Sequence, residues 1–336
     1  IDRDGDQDLF ISGRHVPWSY PDPESCAMLI NKGGRFEDAT KTIAPELIGI
    51  GMVNDAKWAD FNNDGLVDLV LAGEWMPLTL FLNAGGQFKN VTAEYGLSGR
   101  IGWWFSIEAA DMDNDGDQDL IAGNFGLNSA YGGTMEAPLE IYYNDFDVNG
   151  LKDIVFAINE SGRKFPLARK KDASAQVAFI NDKFPNFTSY AKADIYEIYG
   201  KENLGMALHY SANTFASMYL ENTGNGKFLF HELPKLAQIS SINDILIDDF
   251  NSDKNLDLLV AGNLYSVETS FPRNDAGYGL LLEGDGKGQF RPVDRMQSGF
   301  FVPYDVKSMT MLNMNDEKYV LVGCNNDSLR VFKWNK

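Results

Sequence analysis

One stretch, Ala59-Asp60-Phe61-Asn62-Asn63-Asp64-Gly65-Leu66-Val67-Asp68-Leu69-Val70, restricts the fold of this chain more than any other. Oxygen-bearing side chains stand at loop positions one, three, five and nine (Asp60, Asn62, Asp64, Asp68), and Gly65 holds position six. A hard cation such as Ca²⁺ takes roughly six to eight oxygens from a flexible loop, and a glycine lets the chain bend sharply around the ion. Leu66, at position seven, would offer its backbone carbonyl. A strand over 67–72 follows where an EF-hand would need a bidentate Glu, so the loop reads as the turn of a β-hairpin.

The pattern recurs. The chain opens inside a copy, with Asp2, Asp4, Gly5, Asp6 and Asp8 at positions three, five, six, seven and nine. Position one then falls before residue 1, as expected of a chain cut from a longer one. A third copy is Asp111, Asp113, Asp115, Gly116, Asp117 and Asp119; a fourth is Asp145, Asp147, Asn149, Gly150, Leu151 and Asp153. In the fifth (Asp249, Asn251, Asp253, Asn255, Asp257), Lys254 replaces the glycine, which marks this site as the weakest. A degenerate sixth lies at Asn313–Tyr319. Ordinary Asx turns would explain a single loop. They do not explain the same positions filled together in every full-length copy, where carboxylates without a cation would repel. The sequence therefore predicts about four or five bound Ca²⁺ ions.

The repeat extends beyond the loop. Each is followed by an apolar run ending in small residues, as in Asp68-Leu-Val-Leu-Ala-Gly73, Asp119-Leu-Ile-Ala-Gly123 and Asp257-Leu-Leu-Val-Ala-Gly262. A further strand and a glycine hairpin come next, as in Leu80-Phe-Leu-Asn-Ala-Gly-Gly-Gln-Phe88. With an inner strand before each loop, a unit holds four antiparallel strands in about fifty to sixty residues, which suits a β-propeller blade. The expected fold is an all-β propeller of six or seven four-stranded blades, a single domain over 1–336. Six blades lie within the chain, a seventh would need sequence before residue 1, and 329–334 reads as a last outer strand. The fourth loop follows the third too closely to open a blade and is placed in the outer hairpin of the third. A helical insertion over about 169–200 is expected to hold two short helices (172–184 and 188–199) that pack the hairpin onto the blades.

Composition narrows the function. A formal net charge of −19 and a pI near 4.5 argue against nucleic acid and anionic membranes as partners. No apolar run reaches the length of a transmembrane span. Cys26 and Cys324 are too few for a disulfide scaffold. In a ring closed at six blades they would lie in neighbouring blades, either bridged or as small buried apolar residues.

The loops Asp60–Asp68, Asp111–Asp119 and Asp249–Asp257, each running into Asp-Leu-hydrophobic-Ala-Gly, resemble the FG-GAP/VCBS repeats of integrin α-subunit-type calcium-binding propellers. The segments Ala122–Ser129, Tyr143–Asp147 and Asn213–Ser217 are also similar to secreted VCBS-repeat proteins of Bacteroidetes related to cartilage acidic protein. The resemblance implies an extracellular or cell-envelope protein that binds a glycan or protein ligand or mediates adhesion. Its face opposite the calcium loops would carry Arg14, His15, Trp18, Tyr20, Trp75, Met76, Trp103, Trp104, Phe125, Tyr131, Tyr265, Phe271, Arg273, Phe300, Phe301 and Tyr304. Trp and Tyr beside Arg suit stacking and hydrogen bonding to a ligand. The alternative is a polysaccharide-degrading enzyme, a calcium-dependent lyase or glycosidase, with a base such as His15. The three histidines are scattered, and no nucleophile elbow or phosphate-binding loop accompanies them.

Overall fold

The apolar runs after the second, third and fifth aspartate-rich loops are buried from end to end and send successive side chains to opposite neighbours. The computed structural model describes residues 1–267, 272–315 and 317–334. Among these, the chain forms six antiparallel sheets. The first holds β1 (Leu9–Ile11), β2 (Ala27–Asn31) and β3 (Phe36–Asp38). The second holds β4 (Met52–Ala59), β5 (Asp68–Pro77), β6 (Thr79–Asn83) and β7 (Phe88–Asn90), with β8 (Ile101–Trp103) added against β5. β9 (Ser106–Ala110) and β10 (Asp119–Gly123) begin the third sheet, which is then interrupted.

The interruption is a sheet of its own. β11 (Leu139–Asn144), β12 (Asp153–Glu160) and β13 (Arg163–Pro166) lead into five short helices between Lys170 and Met206, and β14 (Leu208–Ala212) returns to pair with β11. Only then do β15 (Met218–Asn222) and β16 (Phe228–Glu232) complete the third sheet, with Leu220 of β15 opposite Leu120 of β10. The fourth sheet is β17 (Ile242–Asp248), β18 (Asp257–Gly262), β19 (Leu280–Gly284) and β20 (Phe290–Pro292). The fifth is β21 (Val306–Met314), β22 (Glu317–Cys324) and β23 (Arg330–Trp334).

Side-chain alternation along a strand explains how these sheets stack. In β5, Leu69 and Leu71 pack with Met28 from the first sheet, while Val70 and Ala72 pack with Ile107, Leu120 and Leu220 from the third. In β18, Leu258 and Val260 meet Ile121 and Tyr219, while Leu259 and Ala261 meet Met309, Val320 and Val322. These second strands thus serve two cores each. The first strands are tied to one another by Asn-Asp pairs at β-bulges. Asn54 donates to Trp104 O (2.7 Å) and Asp55 accepts from Ile107 N (2.8 Å). Asn243 repeats the contact to Val306 O (2.7 Å), and Asp244 accepts from Met309 N.

Several expectations are corrected. The expected third blade is split: Leu139–Asn144 and Asp153–Glu160 flank the fourth loop as anticipated, but they are the two central strands of a separate sheet and not an outer hairpin. The six sheets are therefore five in succession plus one nested within the third. The insertion holds five helical segments where two were expected. Its Val177, Ile180, Phe184, Ile195 and Ile198 do pack against Val155 and Ala157 of the inserted sheet. No ninefold loop fits at Asn313–Tyr319, because β21 and β22 pair as far as Met314 and Glu317. Cys26 and Cys324 are free thiols in separate cores, not a disulfide.

The glycine of the Ala-Gly step in β5, β10 and β18 has a steric cause. A Cβ on Gly262 would lie 1.8 Å from Ser241 O, and one on Gly123 would lie 2.3 Å from Ile242 O. Backbone cannot yield as a side chain can. Gly262→Ala is accordingly expected to cost about 1–3 kcal/mol in urea unfolding. Gly99→Ala, which meets nothing within 4 Å, should stay within about 0.5 kcal/mol of the parent.

Candidate functional site

The aspartate-rich loops share one backbone trace. Position four lies in the left-handed region in all five: Arg3 (φ 63), Asn63 (56), Asn114 (64), Val148 (59) and Ser252 (66). Position six does so too: Gly5 (101), Gly65 (79), Gly116 (96), Gly150 (89) and Lys254 (77). The carboxylate at position one holds the turn by accepting from the amides of positions five and six. For Asp60 these are Asp64 N (3.2 Å) and Gly65 N (2.7 Å); for Asp145 they are Asn149 N (3.0 Å) and Gly150 N (2.8 Å). In the fifth loop, Asp249 accepts from Asp253 N (3.1 Å) and Lys254 N (3.0 Å). Lysine therefore does not disrupt this loop; it occupies the glycine conformation.

The position-nine aspartate is buried and joins three elements. Asp68 accepts from Phe61 N (2.9 Å) in its own loop and Asn83 N (2.8 Å) at the end of β6. Asp119 repeats this with Met112 N (3.0 Å) and Asn222 N (2.7 Å), and Asp257 with Phe250 N (2.9 Å) and Gly284 N (2.9 Å). Asp8 lies likewise between Ile1 N (2.6 Å) and Asn31 N (2.9 Å). Burial pushes Asp68, Asp119 and Asp153 up to about 6, against the amides that pull them down.

The donor set fits a hard cation. Carboxylate oxygens of Asp111, Asp113 and Asp115 lie within 4.8 Å of one another, as do those of Asp145, Asp147 and Asp153. In the second group Asp147 Oδ1 is sealed from solvent with no hydrogen-bond partner. The Asp60–Asp68 loop offers the same positions with the amide oxygen of Asn62 replacing one carboxylate.

At the strand ends opposite the loops of the successive sheets lies a cavity of about 830 Å³, bordered by the fourth loop through Ile154, the neighbour of Asp153. Its wall comes from residues just before first strands (Phe105, Asp305), just after second strands (Phe125, Leu264, Asn325), and from the first-sheet loop (Arg14, Tyr20). The inserted sheet adds Ile154, Phe156 and Leu167, and its first helix adds Asp172, Ala175 and Gln176. Aromatic rings form one side: Trp103 lies 5.0 Å from Phe125 and 5.7 Å from Tyr131, and Tyr131 lies 5.4 Å from Phe156. The indole nitrogen of Trp103 is buried without a partner. Charge enters as two pairs. Arg14 Nε donates to the buried Glu74 (2.7 Å), whose other oxygen has no partner, and Lys307 lies 2.7 Å from Asp305.

Of the residues expected on this face, Arg14, Tyr20, Trp103, Phe125 and Tyr131 line the cavity. Trp75 stands behind them, 5.2 Å from Trp103, its indole N–H donating to Tyr20 OH (2.7 Å). Trp104 is a core residue, fully buried with its N–H on Met76 O (3.1 Å), and Phe300 and Met76 are buried too. Trp18 is wholly exposed at a loop tip, away from the wall. His15 packs on Tyr20 (5.7 Å), and Arg273 lies over the Tyr265 ring (5.1 Å); neither lines the cavity. Tyr304 carries Arg330 over its ring, Phe301 is exposed, and Phe271 lies outside the described residues. The sequence missed Phe156, Asp305 and Lys307, which had no motif to mark them.

The shared loop trace yields a test. A left-handed non-glycine residue costs about 1–2 kcal/mol. Lys254→Gly should therefore raise the stability by about 1 kcal/mol; a lowered urea midpoint would refute this account.

Comparison with known proteins places these features. No curated protein matches the chain. Among solved structures, the V. cholerae biofilm matrix protein Bap1 aligns over 93% of this chain and 66% of its own length at 9% identity, with a TM-score of 0.30. BBS1N, solved in complex with ARL6DN, aligns over 83% of this chain and 79% of its own at 12% identity, with a TM-score of 0.22. Both scores are too low to establish a shared fold. The FG-GAP-like repeat family matches residues 1–71 and 60–122, spans that take in the first three aspartate-rich loops. Over those residues the chain resembles FG-GAP-like repeats.

Proposed function

We propose that the chain is an extracellular, calcium-stabilised binding domain whose sheets are blades of a propeller, and that a glycan or protein ligand sits in the cavity opposite the aspartate-rich loops. FG-GAP-like repeats suit an adhesion-type or extracellular module. No helix is long and apolar enough to cross a membrane among the described residues. The likeness to secreted VCBS-repeat proteins related to cartilage acidic protein rests on short motifs and belongs to this reading.

The observation that carries the ligand assignment is the cavity's make-up. Side chains from all five successive sheets or their flanking loops, together with the insertion, converge on one apolar-walled space with charged groups at the edge. Binding sites are commonly concave, mostly apolar and furnished with a few placed polar groups. The buried, unpartnered Trp103 N–H is a donor waiting for an acceptor. Calcium would be held by Asp60, Asn62, Asp64 and Asp68, by Asp111, Asp113, Asp115 and Asp119, by Asp145, Asp147, Asn149 and Asp153, and by Asp249, Asn251, Asp253 and Asp257. Asp2, Asp4, Asp6 and Asp8 would serve a fifth, with the carbonyls of Leu66 and Leu151 and the position-seven residues Asp117 and Asn255 completing their loops. The ion's part is structural: it neutralises converging carboxylates and so fixes the hairpins.

Two outcomes are expected. An ion that binds only the folded loops stabilises by about 2.7 kcal/mol per site at a hundredfold excess over Kd. A chelator should therefore lower the melting temperature by several degrees, and an unchanged midpoint would remove calcium from the account. Ala175, exposed on the cavity wall, can be enlarged without touching the core. Ala175→Trp should abolish binding on a glycan array and in a partner screen while leaving the melting temperature unchanged.

A further inference from the structure

The cavity does not stand alone. A second, more open groove of about 620 Å³ lies on the other side of Leu167 and Ala168, residues that line both. Its floor is apolar and aromatic, with Phe165, Tyr190 and the exposed Phe187. Its edge is Arg169-Lys170-Lys171, set against one acid in the lining, Glu160. In a chain of net charge −19, residues 163–171 hold five cations and no acid. Three of these are engaged: Arg163 with Asp194 and Glu197, Lys164 with Glu140, and Lys170 with Asn181 and the Phe187 ring. Arg169 and Lys171 are exposed and make no ion pair among the described residues.

We propose that cavity and groove form one continuous track for an extended anionic polysaccharide, with sugar rings stacked in the cavity and their carboxylates met by Arg169 and Lys171 in the groove. This rests on the ligand site proposed above and names its substrate class. Flat rings recur on both sides of the Leu167–Ala168 sill, in Phe156 and Tyr131 on one side and Phe165 and Phe187 on the other. Such recurrence matches a polymer of like pyranose rings better than the varied side chains of a peptide. Free cations beside the rings supply the charge complement, and their contribution weakens with salt.

The test is titration calorimetry with the full chain at fixed free calcium, using oligogalacturonate of seven units, a neutral glucan of equal length and poly-glutamate. Oligogalacturonate should bind at least tenfold tighter than the other two. The pair Arg169→Glu with Lys171→Glu should weaken it at least tenfold and flatten its salt dependence, while neutral glucan binding and the melting temperature stay put. Ala175→Trp should weaken both sugars. If Ala175→Trp abolishes sugar binding but the charge reversals change nothing, or if poly-glutamate binds as tightly, the anionic track is refuted and the cavity stands. If neither sugar binds the parent chain, the polysaccharide track is refuted, and the cavity assignment falls only if the partner screen is negative as well.

Discussion

Three of the successive sheets hang on a buried carboxylate that is shared between two amides. At position nine of each loop in the second, third and fourth sheets, one oxygen holds the loop's own second residue and the other holds the end of the sheet's third strand. The same side chain therefore sets the loop's curvature and the register of the hairpin beyond it. Taking a carboxylate out of water is unfavourable unless donors meet it, and two amides meet it only if both elements are in place. The aspartates are costly alone and favourable together, which makes each of these three sheets an all-or-none unit.

That interaction also explains how much could be read in advance. Loop positions, the apolar run and the terminal glycine lie within about fifteen residues of one another. Local spacing reveals such things, and β4 to β6, β17 to β19 and the loops between them follow it. Spacing is silent about what pairs at long range. β10 finds β15 only after the inserted sheet, so the third sheet was legible as strands but not as a sheet. The cavity was half legible for a related reason. Trp103 and Trp104 are adjacent, yet one lines the cavity and the other is core, because neighbouring residues leave an extended chain on opposite sides.

The inserted sheet has its own polar centre, which no motif announced. Glu140 is buried among His209 (3.0 Å), Lys164 (2.8 Å) and Tyr142, and His209 stacks on the Tyr142 ring at 4.3 Å. Burial alone would raise the Glu140 carboxyl, but these donors outweigh it and hold it near 2. Residues from β11, β13 and β14 meet there, so the cluster specifies the pairing of three strands. A fully satisfied polar network of this kind gives uniqueness to a sheet that packs on Trp75 of β5 through one face and on its own helices through the other.

The nesting of that sheet bears on the order of folding. Joining β10 to β15 closes a loop from Leu120 to Leu220, whereas β5 to β6 closes only Leu69 to Phe81. The longer closure costs roughly 2 kcal/mol more chain entropy. When the insertion has formed first, Leu139 already lies opposite Ala212, and the gap left to close shrinks to the short connections on either side. The insertion is thus a clamp on the chain's own path: formed early, it delivers β15 to β10, and left unformed, it leaves two exposed strand edges waiting across a hundred residues.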